Sequence, residues 1–290
     1  MKIKFTIRIL ILSILTLYIH QDALGQSQPD MKKSRKNLPT FVEIGSLVDI
    51  GAFKDKATSP LTYHGIGAGL NIGKLKLDTI YEGGSNFCYI GGLYLGGSGD
   101  HYSSSIVNSV FIDHTRLYQI KTPLDEIFNF KIGGEINLTG NIRFNPDLQN
   151  NSFGIEYFGN LMVTGQVSTD ISRDEEKVLR LWFLKYTLKE KSRNISLRGN
   201  FGLINTHIRN GYAYTGQSQV INDFELFDRY QFNAFSGLRL GYKVMYTRYL
   251  KTGNAIRWAY QFDGFNTPDG VNFFGMTHNT VSFSLLFRTK

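Results

Sequence analysis

Along most of this chain, apolar side chains recur at every second position. Successive side chains of an extended strand point to opposite faces, so this beat marks a sheet with one apolar and one polar face. Residues 128–138 show it without a break: Phe128, Phe130, Ile132, Gly134, Ile136 and Leu138 alternate with Asn129, Lys131, Gly133, Glu135 and Asn137. Phe153, Ile155, Tyr157, Leu161, Val163 and Val167 repeat it opposite Glu156, Asn160, Thr164 and Gln166. Ile195, Leu197, Phe201 and Leu203 do the same opposite Ser196, Arg198 and Asn200. The longest run, 230–247, keeps Tyr230, Phe232, Ala234, Leu238, Leu240, Tyr242, Val244 and Tyr246 on one parity for eighteen residues. Gln231, Asn233, Arg239, Lys243 and Thr247 take the other.

Length separates the possible architectures. Strands of soluble domains usually run about 5 to 6 residues, whereas a strand crossing a bilayer needs about 9 to 11. The pattern therefore predicts an all-β chain, an antiparallel transmembrane β-barrel with apolar side chains toward lipid and polar ones toward the lumen. Further segments at 41–53, 61–72, 74–82, 86–95, 102–118, 178–188, 254–262 and 280–287 bring the expected number to about twelve strands, within a range of ten to fourteen. Of these, 102–118 and 178–188 alternate poorly, and Gly73-Lys74 reads as a tight turn.

Barrels of this kind have short periplasmic turns and longer external loops. Counting back from the last strand, 263–279, 208–229 and 169–177 become external loops, with 251–253 and 189–194 as turns. The connection 143–152 is long for the periplasmic side on which it falls, and the same counting places 101–103 at the periplasmic end. The last strand carries Val281, Phe283, Leu285 and Phe287 on one face and resembles the C-terminal signal read by the barrel insertion machinery.

The first residues change the picture by giving it a compartment. Lys2, Lys4 and Arg8 precede the apolar run 9–19, and Ala23-Leu24-Gly25 follows with small residues where signal peptidase reads. This predicts a removed export signal over 1–25, cleaved between Gly25 and Gln26, because an apolar core of eleven residues falls short of the roughly 20 a membrane helix needs. Gln26, standing where lipid-modified exports carry cysteine, argues against that class. A flexible polar periplasmic segment over 26–39 and a barrel over 40–290 complete the expected organisation, in the outer membrane of a Gram-negative bacterium.

Composition agrees, with 30 Gly, 14% aromatic residues and only 6 Pro, which suits strands closing into a barrel with aromatic girdles. The single cysteine, Cys88, forms no intramolecular disulfide and reads as a small buried or lumenal residue. The formal net charge is +8, part of it in the leader and part in Lys32, Lys33, Arg35 and Lys36. For an exported chain this does not indicate nucleic acid as a partner. The expected partners are outer-membrane lipid, the insertion machinery and other outer-membrane proteins.

Beyond the general pattern, Asn150-Asn151-Ser152-Phe153-Gly154-Ile155-Glu156-Tyr157, the strand through Val167 and His207-Ile208-Arg209-Asn210-Gly211-Tyr212 resemble uncharacterised outer-membrane barrels of the Bacteroidota. The resemblance spans residues 126–216 and the final strand. It implies location and architecture and carries no activity.

The alternation places Glu43, Asp49, Asp78, Glu82, Glu135 and Glu156 in the lumen with Lys74, Lys76, Lys131, Arg198, Arg239, Lys243 and Arg257. Acids and bases in similar number can satisfy one another, as buried charges must. A sign-selective channel would show a ring of one charge. An interior stapled by ion pairs is therefore expected ahead of a narrow solute pore. His101-Tyr102-Ser103 is the one arrangement that hints at a nucleophile with a base, on the wrong side for known lipid-modifying barrels, and no enzyme is expected. His64, His114, His207 and His278 have no ligand spacing, so neither a metal nor another cofactor is expected. The glycines at 65–69, 91–92 and 96–97 open no helix and read as strand glycines, not phosphate loops. The aromatics of 208–229 (Tyr212, Tyr214, Phe224, Phe227) and of 263–279 (Phe265, Phe273, Phe274) read as a recognition surface, as a plug folded into the barrel mouth, or as an outer aromatic girdle.

Overall fold

The computed structural model describes residues 38–98, 101–148, 152–173, 175–182, 184–210, 230–268 and 270–289. The export signal, the cleavage position at Gly25 and Gln26, and most of the polar segment 26–39 lie outside the described residues, as does the loop 211–229.

The described elements are all strands. They are β1 (Thr40–Asp55), β2 (Thr62–Leu77), β3 (Tyr81–Ser98), β4 (His101–Ile120), β5 (Asn129–Phe144), β6 (Phe153–Asp170), β7 (Lys177–Leu181), β8 (Leu184–Leu188), β9 (Ser192–Asn210), β10 (Tyr230–Asn233), β11 (Leu238–Tyr249), β12 (Ala255–Asn266) and β13 (Phe274–Arg288). β1 through β6 pair in sequence, β6 pairs with β9, β9 with β11, then β12 and β13, and β13 returns to β1. The result is a closed antiparallel barrel of ten strands, with β10 extending the β11 side of β9. The seam between β1 and β13 runs in unbroken register from Phe41 opposite Arg288 to Asp55 opposite Phe274. Closure leaves no barrel strand with an unpaired edge.

Ten strands sit at the low end of the expected range, and two segments account for the difference from twelve. The expected turn at Gly73-Lys74 does not occur: β2 continues through it to Leu77, and the reversal falls at 78–80. Residues 178–188 do not cross the barrel but fold as the hairpin β7–β8, a separate two-stranded sheet. Each crossing removed reverses the end to which the preceding connections belong. The end where β1 begins and β13 stops is called here the near end. The connection 171–191, with its hairpin, sits at the near end, not on the far side as 169–177 was expected to. β3 and β5 end, and β4 and β6 begin, at the far end, so 143–152 and 101–103 belong to the end opposite the one at which the counting placed them.

The barrel is built inside out relative to a soluble protein. Ile50, Ile66, Leu70 and Leu93 are each more than 60% exposed on the outer face, and Glu43, Asp49, Glu135 and Glu156 are buried inside. Strands of 12 to 20 residues, at about 3.3 Å per residue and tilted about 40°, rise well beyond an apolar band about 25 Å tall. No helix among the described residues is long and apolar enough to cross a membrane. Such an outer face is compatible with hydrocarbon and not with water.

Candidate functional site

The lumen is the candidate site, and it is filled in layers. At the far end Asp55 of β1 reaches across to two arginines, accepting from Arg143 of β5 at 2.5 Å and from Arg209 of β9 at 2.6 Å. Arg143 also donates to Glu156 of β6 through Nε at 3.2 Å and through Nη2. Its guanidinium lies between the rings of Phe53 and Phe274, 5.0 and 5.1 Å from their centroids. Arg209 lies 5.0 Å over the Phe274 ring as well and donates to the Asn272 carbonyl at 2.6 Å. Two carboxylates thus meet two guanidinium groups with stacked aromatic rings between strands on opposite walls. The pairing neutralises the charge of a cluster whose members are all at most 3% exposed.

Behind this clasp lies an apolar layer that includes Tyr63, Tyr94, Phe111, Phe158, Phe265 and Met276. Arg239 of β11 pairs with Asp263 of β12, donates to Thr139 Oγ1 of β5 at 2.8 Å, and stacks 4.8 Å from the Phe265 ring. Asp49 Oδ2 meets His278 Nδ1 at 2.9 Å and accepts from the Tyr94 hydroxyl at 3.3 Å. Cys88 points inward and packs against this layer.

Toward the near end the filling becomes polar. Glu82 of β3 accepts from Arg198 of β9 at 2.5 Å and from Gln166 of β6 at 2.6 Å, with Lys131 of β5 at 3.5 Å. Arg257 pairs with Glu43 at 3.2 Å and donates to Thr247 at 3.1 Å. Glu135 accepts from Thr115 at 2.8 Å and Asn200 at 3.0 Å. Between this strap and the apolar layer is a cavity of about 140 Å³, whose lining runs from Glu82 and Arg198 to Arg239 and His278 and includes Lys243.

Of the residues expected in the lumen, Glu43, Asp49, Glu82, Lys131, Glu135, Glu156, Arg239 and Arg257 are buried there, with Arg198 and Lys243 half-buried. Three positions are corrected. Asp78 lies in the turn after β2, where its backbone carbonyl accepts from Lys131 at 2.5 Å. Because β2 continues without a turn, Lys74 and Lys76 keep the parity of Ile66, Leu70 and Ile72 and face outward. Asp55, Arg143, Arg209, Asp263 and His278 join the lumen from segments read as connections or strand ends.

Ser103 is buried and its hydroxyl accepts from Tyr63 Oη at 3.1 Å; the His101 side chain lies outside the described residues. Among the described residues no three metal-ligating side chains gather. Of the aromatics at 263–279, Phe265 and Phe274 fold inward as part of the plug, and Phe273 stacks under Lys56 at 5.2 Å. Those of 211–229 lie outside the described residues.

Several solved membrane barrels are similar in shape. The translocator domain of the autotransporter NalP from Neisseria meningitidis matches at 8% identity and a TM-score of 0.33, over 94% of this chain and 98% of that one. A deletion mutant of the monoaromatic hydrocarbon channel TodX matches at 10% identity and 0.33, over 86% and 90%. The β domain of the Bordetella autotransporter BrkA matches at 7% identity and 0.31, over 86% and 99%. Likenesses this remote carry no activity over to this chain. No family model and no curated protein matches the sequence.

Proposed function

We propose that the chain is an integral outer-membrane barrel with a sealed lumen, serving as a structural, accessory or partner-binding component of an outer-membrane complex. The clasp of Asp55, Arg143, Arg209 and Glu156 between Phe53 and Phe274 carries this reading. It spans the far mouth from wall to wall, and the aromatic layer behind it fills the bore. The outward apolar side chains and the resemblance of 150–157 and 207–212 to Bacteroidota barrels support the location. On this reading the near end, with both ends of the strand array, faces the periplasm.

Purified protein in a planar bilayer is expected to show no stable stepwise conductance, and such conductance in the unaltered protein would overturn the sealed-lumen reading. A second reading, a narrow diffusion pore, is favoured by the polar cavity of about 140 Å³ behind the clasp. It requires stepwise conductance that changes when Arg239 and Glu135 are neutralised.

A further inference from the structure

We propose that an outward-facing niche on β2, β3 and β4, toward the near end, binds the phosphate of one anionic phospholipid. The inference rests on the lipid-facing reading of the outer wall and adds to it a specific site.

Charge is sorted across the wall of this barrel. Carboxylates within the barrel strands point into the lumen, apart from Asp170, exposed at the end of β6. The cations are not sorted in this way, and several face outward near the near end. On β2 to β4 they converge. Lys74, Ser85 and His114 are direct cross-strand neighbours, and Lys76, Gly83 and Arg116 form the next row. Adjacent strands lie about 4.8 Å apart, so both rows fit beneath a single headgroup.

Hydrogen bonding within the niche leaves its donors aimed outward. Arg116 Nε donates to His114 Nε2 at 3.1 Å, so the ring proton resides on Nδ1. That nitrogen lies 2.8 Å from Ser85 Oγ and donates to it, which leaves the Ser85 hydroxyl proton for an outside acceptor. Neither the terminal nitrogens of Arg116 nor Lys74 Nζ has a hydrogen bond or ion pair among the described residues. An arginine fork, a hydroxyl and an ammonium are therefore set at adjacent outward positions of three neighbouring strands, with no carboxylate among the described residues of those outer faces. A guanidinium fork matches two phosphate oxygens, and phosphate supplies negative charge opposite Lys74 and Arg116.

The surroundings fit a lipid better than a soluble anion. Ile72, Phe87 and Ile112, the adjacent row toward mid-membrane, are exposed and apolar and offer a track for acyl chains. On the other side the Tyr81 and Tyr118 rings pair at 5.3 Å, where interfacial aromatics belong. Tyr81 lies across Gly83, at which an added Cβ would meet its hydroxyl at 2.2 Å, so that ring closes the second row and the open position lies over Ser85. A headgroup bearing its own ammonium would oppose Lys74 and Arg116, which selects a net anionic lipid.

Native mass spectrometry of the detergent-purified protein tests this with phosphatidylglycerol, phosphatidylcholine and glycerol phosphate as probes. The unaltered protein is expected to retain one phosphatidylglycerol roughly tenfold better than phosphatidylcholine, the scale of one charge-assisted hydrogen-bonded site. Lys74→Gln with Arg116→Gln should abolish the preference, and Ser85→Ala, a change too small to unfold the wall, should reduce it. Arg248→Gln, on the opposite wall, should leave it intact. Equal retention of both lipids, a preference that survives the double variant or is lost equally in Arg248→Gln, or equal binding of free glycerol phosphate would overturn the proposal. A chain soluble without detergent would instead fail the membrane reading itself.

Discussion

Arg143 is the residue on which the far mouth turns. Its guanidinium holds Asp55 and Glu156 and fills the gap between Phe53 and Phe274, so its removal strands the buried Glu156 carboxylate and leaves Asp55 with Arg209 alone. Arg143→Ala is expected to lower stability by about 3 to 5 kcal/mol, read from denaturant unfolding in detergent, the usual cost of breaking a buried pair. A second test lies outside the membrane wall. Asp147, in the β5–β6 connection, accepts from the Ser104 amide at 2.6 Å and hydroxyl at 3.0 Å, which holds its carboxyl below the ordinary 3.8. A depressed folded pKa contributes stability above the unfolded value and loses it as pH falls through the folded one. Exchange protection of the Ser104 amide should therefore be full at neutral pH, fall only below pH 3.8, and be absent at all pH in Asp147→Ala. Part of this was legible in the residue pattern: Asp55 shares the parity of Glu43 and Asp49, and Arg143 that of Lys131 and Glu135. Both lie beyond the residues at which the alternation predicts β1 and β5 to end. Arg209 was hidden for another reason. The β6–β9 register skips Leu203, between Leu161 opposite Ile204 and Met162 opposite Gly202. A one-residue slip exchanges the faces, turning Asn205, His207 and Arg209 inward where an unbroken beat would send them out.

Elements separate into those the membrane requires and those it does not. The hairpin β7–β8 pairs only with itself, and below it the connection is already held by the Arg173–Lys191 bridge. Replacing 175–189 with a short flexible linker should leave the barrel folded, with unchanged heat-dependent migration on gels; loss of that migration would show that the hairpin supports the wall. Its alternation is poor, but so is that of 102–118, which crosses the wall as β4, so the pattern alone does not separate the two. The strand read as eighteen continuous residues is interrupted. β10 and β11 both pair with β9, but Phe235 and Gly237 between them take φ values of 52° and 87°, conformations no regular strand accommodates. At Gly237 a Cβ would also meet the Asn266 carbonyl at 2.1 Å, so Gly237→Ala should destabilise this corner while Gly199→Ala, with nothing within 4 Å, should not. Equal melting of the two variants would contradict the bulge account. Parity alone cannot report such a break, because a bulge leaves the apolar lettering on both sides intact.

For the molecule as a whole, the two-residue beat carried the fold: inward acids, outward aliphatics and a final strand able to close on the first. It did not carry the filling of the bore, which depends on which residues meet across the lumen. Asp55 and Arg209 are 154 positions apart, and no local pattern joins them. The account stands or falls on the two faces of the wall meeting two different solvents. Spin labels placed singly along 136–142 of β5, in a Cys88→Ser background and reconstituted into lipid vesicles, test this through relaxation by oxygen and by a water-soluble nickel chelate. Oxygen access is expected to peak at Ile136, Leu138 and Ile142 and to fall at Asn137, Thr139 and Asn141. A flat profile, or chelate access peaking at the three aliphatic positions, would contradict it.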